Sequence, residues 1–397
     1  MLSIGHVRNA LQAKRDAFTM YGRGALRTRQ RYEELLTWLS EQSHDHLTDV
    51  LTPYKYPGAR PTPEHIRGRP MGLIIPWQQD PTDHQKAREW ALDILKGVTT
   101  LAVDGSQIFP STDFSIPIGA VQIGWFENPH HPQKGYEKDI HFEILAPHEL
   151  TDEEDSASPF SGRRVNLRRF ERECEMIVTY MRQVGAKNPP PVCFFDGSMA
   201  ISFAAQMAPK LRGRYIAAVH SLIEVSEETR VPLVGYIATS TAHDMTAMLQ
   251  NLTDEEHLPS LTDGALLRPH MSWGDRTESL LCARDDQLFQ EGNEHLDYYD
   301  RLVFLYLKTT SRGAPGRLDV PAWVLEDDLL PWVIDVVRAE CIVGGGYPYA
   351  IETADATAVI TQDDQERFYR LFQDFLEKEV GLNLRYSRKA YSKRRRR

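Results

Sequence analysis

The chain has no apolar run that approaches the ~20 residues needed to span a bilayer. Its first residues, MLSIGHVRNALQAKRD, lack the apolar core of a signal peptide. Cysteine is scarce: Cys174, Cys193, Cys282 and Cys341 lie far apart, with no Cys-x-x-Cys spacing. Neither a zinc cluster nor a disulfide framework is expected, and these thiols read as buried groups in a reduced, cytoplasmic protein. No glycine is followed by lysine anywhere, so a Walker A loop is excluded, and with it an ATP-driven motor of that kind in this chain.

At 397 residues, 41% hydrophobic and 26% charged, the chain is long enough to bury a large globular core. The net charge of −10 conceals an asymmetry, because the last thirteen residues, RYSRKAYSKRRRR, hold eight Lys or Arg and no acid. Such a run is either a solvated tail or a basic arm that grips phosphates. Arginine outnumbers lysine by 34 to 12, which suits bidentate phosphate contacts without proving them.

Residues 1–45 read as helical, with Leu35, Leu36 and Leu39 on one side of YEELLTWLSEQ. A proline-rich passage, LTPYKYPGARPTPEH to IIPWQQDPTD, then interrupts regular structure. After the helix HQKAREWALDILKG come three extended segments: TTLAVDGS, IPIGAVQIGWFE and DIHFEILAP. The helix VNLRRFERECEMIVTYMRQVG leads to the strand PVCFFDGS, a helix across AISFAAQMAPKLRGRYIAAVHSLIEVS and the strand VPLVGYIATS. Short connections make the first three strands a meander, and crossovers follow. An α/β fold with a central mixed sheet flanked by helices is therefore expected, in the β-β-β-α-β-α-β order of an RNase H-like fold. Residues 1–95 form an N-terminal helical and proline-rich region, 96–361 the core domain, and 362–397 a C-terminal helix and basic tail.

Two strands are expected to end on the sequence Asp-Gly-Ser, at Asp104 and Asp196. In this topology the first and fourth strands are neighbours, so the two carboxylates would face one edge. Like charges that close need a cation or a proton between them, and magnesium or manganese, hard ions that prefer oxygen, would serve. The alternative is that each motif merely closes a strand, the glycine turning the chain and the serine bonding the turn. A third acid is expected from the crossover helix, whose apolar face comprises Leu167, Phe170, Cys174, Ile177, Val178 and Met181. Glu171 borders that face and is the expected ligand, with Glu175 one turn on as the fallback; Glu173 is expected to project towards the flank. Asp355, in the apolar-flanked segment GYPYAIETADATAVIT, is the fourth candidate. These acids could clamp two ions, one activating water and one steadying the leaving oxygen.

AVDGSQ, the helix with RRFERE, FFDGS, VGYIATS, GDRT and GYPYAIETADATAVI occur in an order that resembles the NurA nucleases, from about Val98 to Ile360. The resemblance implies a Piwi-related RNase H-like core and a homodimer. It also implies manganese- or magnesium-dependent cutting of DNA, as a 5′–3′ exonuclease and single-strand endonuclease, in partnership with a HerA-type hexameric ATPase. Carried over, it makes Asp104 and Asp196 metal-binding aspartates and Glu171 the helix glutamate. Asp355 stands where many members have histidine, a departure that bears on metal preference, aspartate being an equally good oxygen ligand. No lysine here has an acid two residues before it, so the acid-x-Lys element of restriction-type nucleases is missing. An actin-like phosphotransferase would need a second phosphate loop, for which VGGGYP is a weak candidate. A non-catalytic docking partner would be expected to have lost the acids.

Overall fold

The computed structural model describes residues 2–69, 71, 73–79, 83–111, 114–151, 162–253, 258–284, 288 and 298–382. The acidic loop around 152–161 and the basic tail lie outside them. Two compact units result, and neither is a linear segment. One is built from 1–81, 237–285 and 302–318, the other from 82–236, 286–301 and 319–397. Residues 1–81 of the expected N-terminal region thus share a unit with two later stretches, while 82–95 fall in the other.

The second unit begins with helix α1 (His84–Leu95), whose first turn is capped by the Asp83 carboxylate. Strands β1 (Thr100–Ile108), β2 (Gly119–Asn128) and β3 (Glu137–Leu145) then form the antiparallel meander. Helix α2 (Gly162–Val184) crosses to strand β4 (Val192–Asp196), and α3 (Pro209–Thr229) crosses to β5 (Leu233–Ile237). The strand order is β3-β2-β1-β4-β5, with β4 parallel to both β1 and β5. This is the expected RNase H-like mixed sheet. Helices α4 (Leu330–Val343), α5 (Tyr349–Ala358) and α6 (Gln362–Phe375) complete the unit. Strands β1 and β4 read as near-continuous apolar runs because helices cover them: Leu101, Ala102, Val103, Cys193, Phe194 and Phe195 are all buried.

Local chemistry moved some boundaries. The single helix expected across residues 200–226 is instead a 3₁₀ turn at Ser202–Gln206 followed by α3, because Pro209 sits at the first turn of a helix and cannot continue an earlier one. The GYPYAIETADATAVIT segment is helical as α5, which starts directly after Pro348. A strand at Gly316–Pro321 had no counterpart among the expected elements.

The first unit contains the helix Arg15–Ser40, which packs on the helices Asp244–Leu252 and Asp263–Leu267, and the strands Gly58–Pro61, Leu280–Ala283 and Leu302–Leu307. Two of its buried acids are held in ion pairs: Asp244 with Arg284 and Arg317, and Glu278 with His65 and Arg69. The GDRT motif is structural here. Asp275 accepts from the Ser272 and Trp77 amides, and Arg276 pairs with Glu64. No described helix is long and apolar enough to cross a membrane.

Candidate active site

Strand β1 does not end at Asp104. It runs straight through Asp-Gly-Ser to Ile108, and each of the three residues has a separate task. Because side chains alternate across a strand, Asp104 and Ser106 face one side and Gly105 the other. Ser106 Oγ donates to the carbonyl of Ala358, as does Gln122 Nε2 at 3.0 Å, which moors the end of α5 on that face. Gly105 is required by close approach: a Cβ there would lie 2.5 Å from Glu173 Oε1 and 2.7 Å from Arg169 Cγ. Its bare backbone leaves the room in which the Glu173 carboxylate sits against the sheet, within electrostatic range of Asp104 and Asp196.

The second motif does end its strand. Val103 pairs with Phe195 in the parallel β1–β4 ladder, so Asp104 and Asp196, each one residue further on, come out level. Gly197 follows with φ of +148°, a conformation closed to residues with a side chain. Ser198 Oγ then donates to buried Asp319 at 2.6 Å, and the Met199 amide donates to the same oxygen at 3.0 Å. Asp196 is thereby held at a fixed corner, exposed to solvent.

Asp355 arrives from α5, and its charge is felt at both Asp104 and Asp196. The start of α5 is pinned by buried Glu340, which accepts from the Ala350 amide at 2.9 Å and from Thr100 Oγ1 at 2.8 Å. In the loop just before α5, the Tyr347 hydroxyl donates to Asp196 Oδ1 at 2.8 Å.

The glutamate that joins these aspartates is Glu173, not Glu171. Arg214 on α3 grips Glu171 with two bonds of 2.6 and 2.5 Å, and Arg168 lies 3.5 Å away, so this side chain is committed to the α2–α3 flank. Glu175 is likewise engaged, by Arg172 at 2.7 Å. Glu173 is 6% exposed and feels the charges of both Asp104 and Asp196. The helix phase contained this signal: Glu173 falls three residues after Phe170 and four before Ile177, on the face that both bury.

Electrostatics agree with the geometry. Burial, followed by the charges of Asp104 and Asp196, pushes the Glu173 carboxyl up to about 8 against the pull of Arg169. Burial and the neighbouring Asp196 and Asp355 push Asp104 up to about 6. Burial also raises Asp196, aided by Asp355 and opposed by the Tyr347 hydrogen bond and Arg169. Among the described residues no three carboxylate, histidine or cysteine side chains are drawn close enough to hold an ion as they stand, like charges keeping apart. The donor set nevertheless suits a hard divalent cation: it is all oxygen, and Glu173 Oε1 is buried without a hydrogen-bond partner.

A family model of the NurA domain matches residues 98–360. The chain belongs to the NurA family. The crystal structure of the NurA nuclease from Sulfolobus solfataricus aligns over 95% of this chain and 98% of its own, with a TM-score of 0.53 at 11% identity, a likeness of fold. A structure of NurA with manganese aligns over 72% of this chain and 90% of its own, with a TM-score of 0.40 and 10% identity. One of NurA bound to dAMP and manganese aligns over 68% and 87%, with a TM-score of 0.37 and 9% identity. No curated protein matches the chain. In this NurA domain Asp104, Asp196 and Asp355 lie within electrostatic range of one another, and Glu173 feels the first two. Tyr347 and Arg169 stand beside these acids, two residues the sequence alone did not single out.

Proposed function

We propose that this chain is a nuclease that hydrolyses DNA phosphodiesters with divalent cations held by Asp104, Glu173, Asp196 and Asp355. The observation that carries the reading is the mutual electrostatic influence of acids brought from two strands and two helices of a NurA-family core, strong enough to raise Asp104, Glu173 and Asp196 together. Manganese or magnesium, two ions for four carboxylates, would supply a nucleophilic water at neutral pH and a counter-charge for the leaving oxygen. The chain's own groups prepare that site. Gly105 admits Glu173, and the parallel register of β1 and β4 levels the two strand aspartates. Tyr347 fixes the Asp196 carboxylate by its hydrogen bond, and the moorings of α5 at Glu340 and Ala358 fix Asp355.

Single-stranded DNA and frayed ends are the proposed substrates, cut both internally and in the 5′–3′ direction. Opening a duplex costs on the order of 1.4 kcal/mol per base-pair step, and the chain has no Gly-Lys loop with which to draw on ATP. A HerA-type hexameric ATPase is the proposed source of that work, and a homodimer the proposed working form. Ile4, Leu11, Phe18, Met20 and Tyr21, exposed on the N-terminal helices, are the residues proposed to meet it. The test is cleavage of end-labelled single-stranded and tailed duplex DNA with and without manganese. The wild-type chain should cut only with the ion and Asp104→Ala not at all; equal cutting by both would refute the assignment.

A further inference from the structure

We propose that Arg169 contacts the substrate phosphate. In the metal-free site its guanidinium partly neutralises Glu173, and it is released to the phosphodiester when cations take over the carboxylates. The inference rests on the nuclease reading and adds a substrate-contacting residue to it.

The arginines around α2 differ in how they use their donors. Arg168 and Arg172 are both engaged by Glu143 and Glu175, and Arg214 forms its two-bonded pair with Glu171. Arg169, one turn before Glu173, does not behave this way. Its Nη1 donates to the Gly105 carbonyl at 3.0 Å and stands 3.4 Å from Glu173 Oε1, in range of charge but without a hydrogen bond. Its Nε is buried without a partner, so the Nε edge of the fork, which grips carboxylate or phosphate side-on, is unspent. The side chain is 33% exposed, and its charge is felt at both Glu173 and Asp196. A half-satisfied guanidinium is costly as a purely structural element. Beside four acids it keeps cations out, a disadvantage in a metal site unless the charge serves a ligand. An anionic phosphodiester that arrives with the cations is such a ligand, and it would supply the missing acceptors.

The test compares wild type with Arg169→Ala and Arg169→Lys by calorimetric titration with Mn²⁺ in the absence of DNA. It also measures binding of a single-stranded oligonucleotide in Ca²⁺ and cleavage in Mn²⁺. Removing a cation beside Glu173 should tighten Mn²⁺ binding roughly five-fold, while oligonucleotide affinity falls by about ten-fold. Cleavage by Arg169→Ala should fall by on the order of 100-fold and recover in part with added guanidinium ion. Arg169→Lys should keep the wild-type Mn²⁺ affinity but cut slowly, since an ammonium lacks the fork. Unchanged or weaker Mn²⁺ binding by Arg169→Ala, or undiminished oligonucleotide binding, would overturn the proposal while leaving the nuclease reading intact. A wild-type chain inert towards DNA with Mn²⁺ would overturn both.

Discussion

Replacing Glu173 with glutamine removes the most strongly perturbed carboxyl of the cluster while keeping its size. In the folded, metal-free protein this group titrates near 8 instead of its ordinary 4.5. The unfolded chain therefore gives up the proton first as pH rises, and the folded state is penalised. Stability should fall through the window from 4.5 to about 8 by about 1.4 kcal/mol per pH unit and level off above it. The accumulated penalty approaches about 5 kcal/mol. Glutamine cannot ionise, so Glu173→Gln should match wild type near pH 4.5 and exceed it at pH 8.5, where its melting temperature should be roughly 5–10 °C higher. The assay is thermal melting in chelator across pH 4.5–9, repeated with excess Mn²⁺. The ion should stabilise wild type more than the variant and so narrow the gap, because binding to the folded state alone is itself stabilising. Parallel pH profiles for the two proteins in chelator would refute the placement of Glu173 among the aspartates.

Asp104→Ala and Asp196→Ala should each abolish cleavage and leave the fold intact, with metal-free melting temperatures at pH 8 no lower than wild type, since each relieves like-charge repulsion; a folded variant that still cuts would exclude that residue. Glu171→Gln should cost at most about 1 kcal/mol, because the Arg214 side of its pair is well exposed, and should cut at nearly the wild-type rate; a reduction comparable to that of Glu173→Gln would restore Glu171 as a ligand. Gly105→Ala places a methyl 2.5 Å from Glu173 Oε1. It should destabilise by about 1–3 kcal/mol and reduce cleavage at least ten-fold, both measurable on the purified variant. Deleting residues 386–397 should weaken DNA binding and flatten its salt dependence by roughly 0.7–0.9 in log-log slope for each phosphate that the tail neutralises; an unchanged slope would show that the tail does not touch DNA.

What could be read from the sequence follows the range of the forces involved. The meander and crossovers were legible because short connections and apolar runs are local, and they fix β1 and β4 as neighbours. The pair Asp104 and Asp196 follows from that adjacency alone. Choosing among Glu171, Glu173 and Glu175 required the phase of α2 to within one residue. Assigning Glu173 to the flank puts that phase off, and an acid on the buried face of a helix, being rare, is itself a mark of function. The role of Gly105 as room for Glu173, not a turn, depends on what packs above it, and no strand pattern shows that. The discontinuous first unit, joining 1–81 to 237–285 and 302–318, depends on packing between residues hundreds of positions apart.

The most direct test of the central claim is a crystal soaked in Mn²⁺ and measured for anomalous scattering at the manganese edge. Manganese peaks bound by Asp104, Glu173, Asp196 and Asp355, with Glu171 still paired to Arg214, are the predicted result. Peaks coordinated by Glu171, or no ordered manganese within reach of Asp104 and Asp196, would contradict the account.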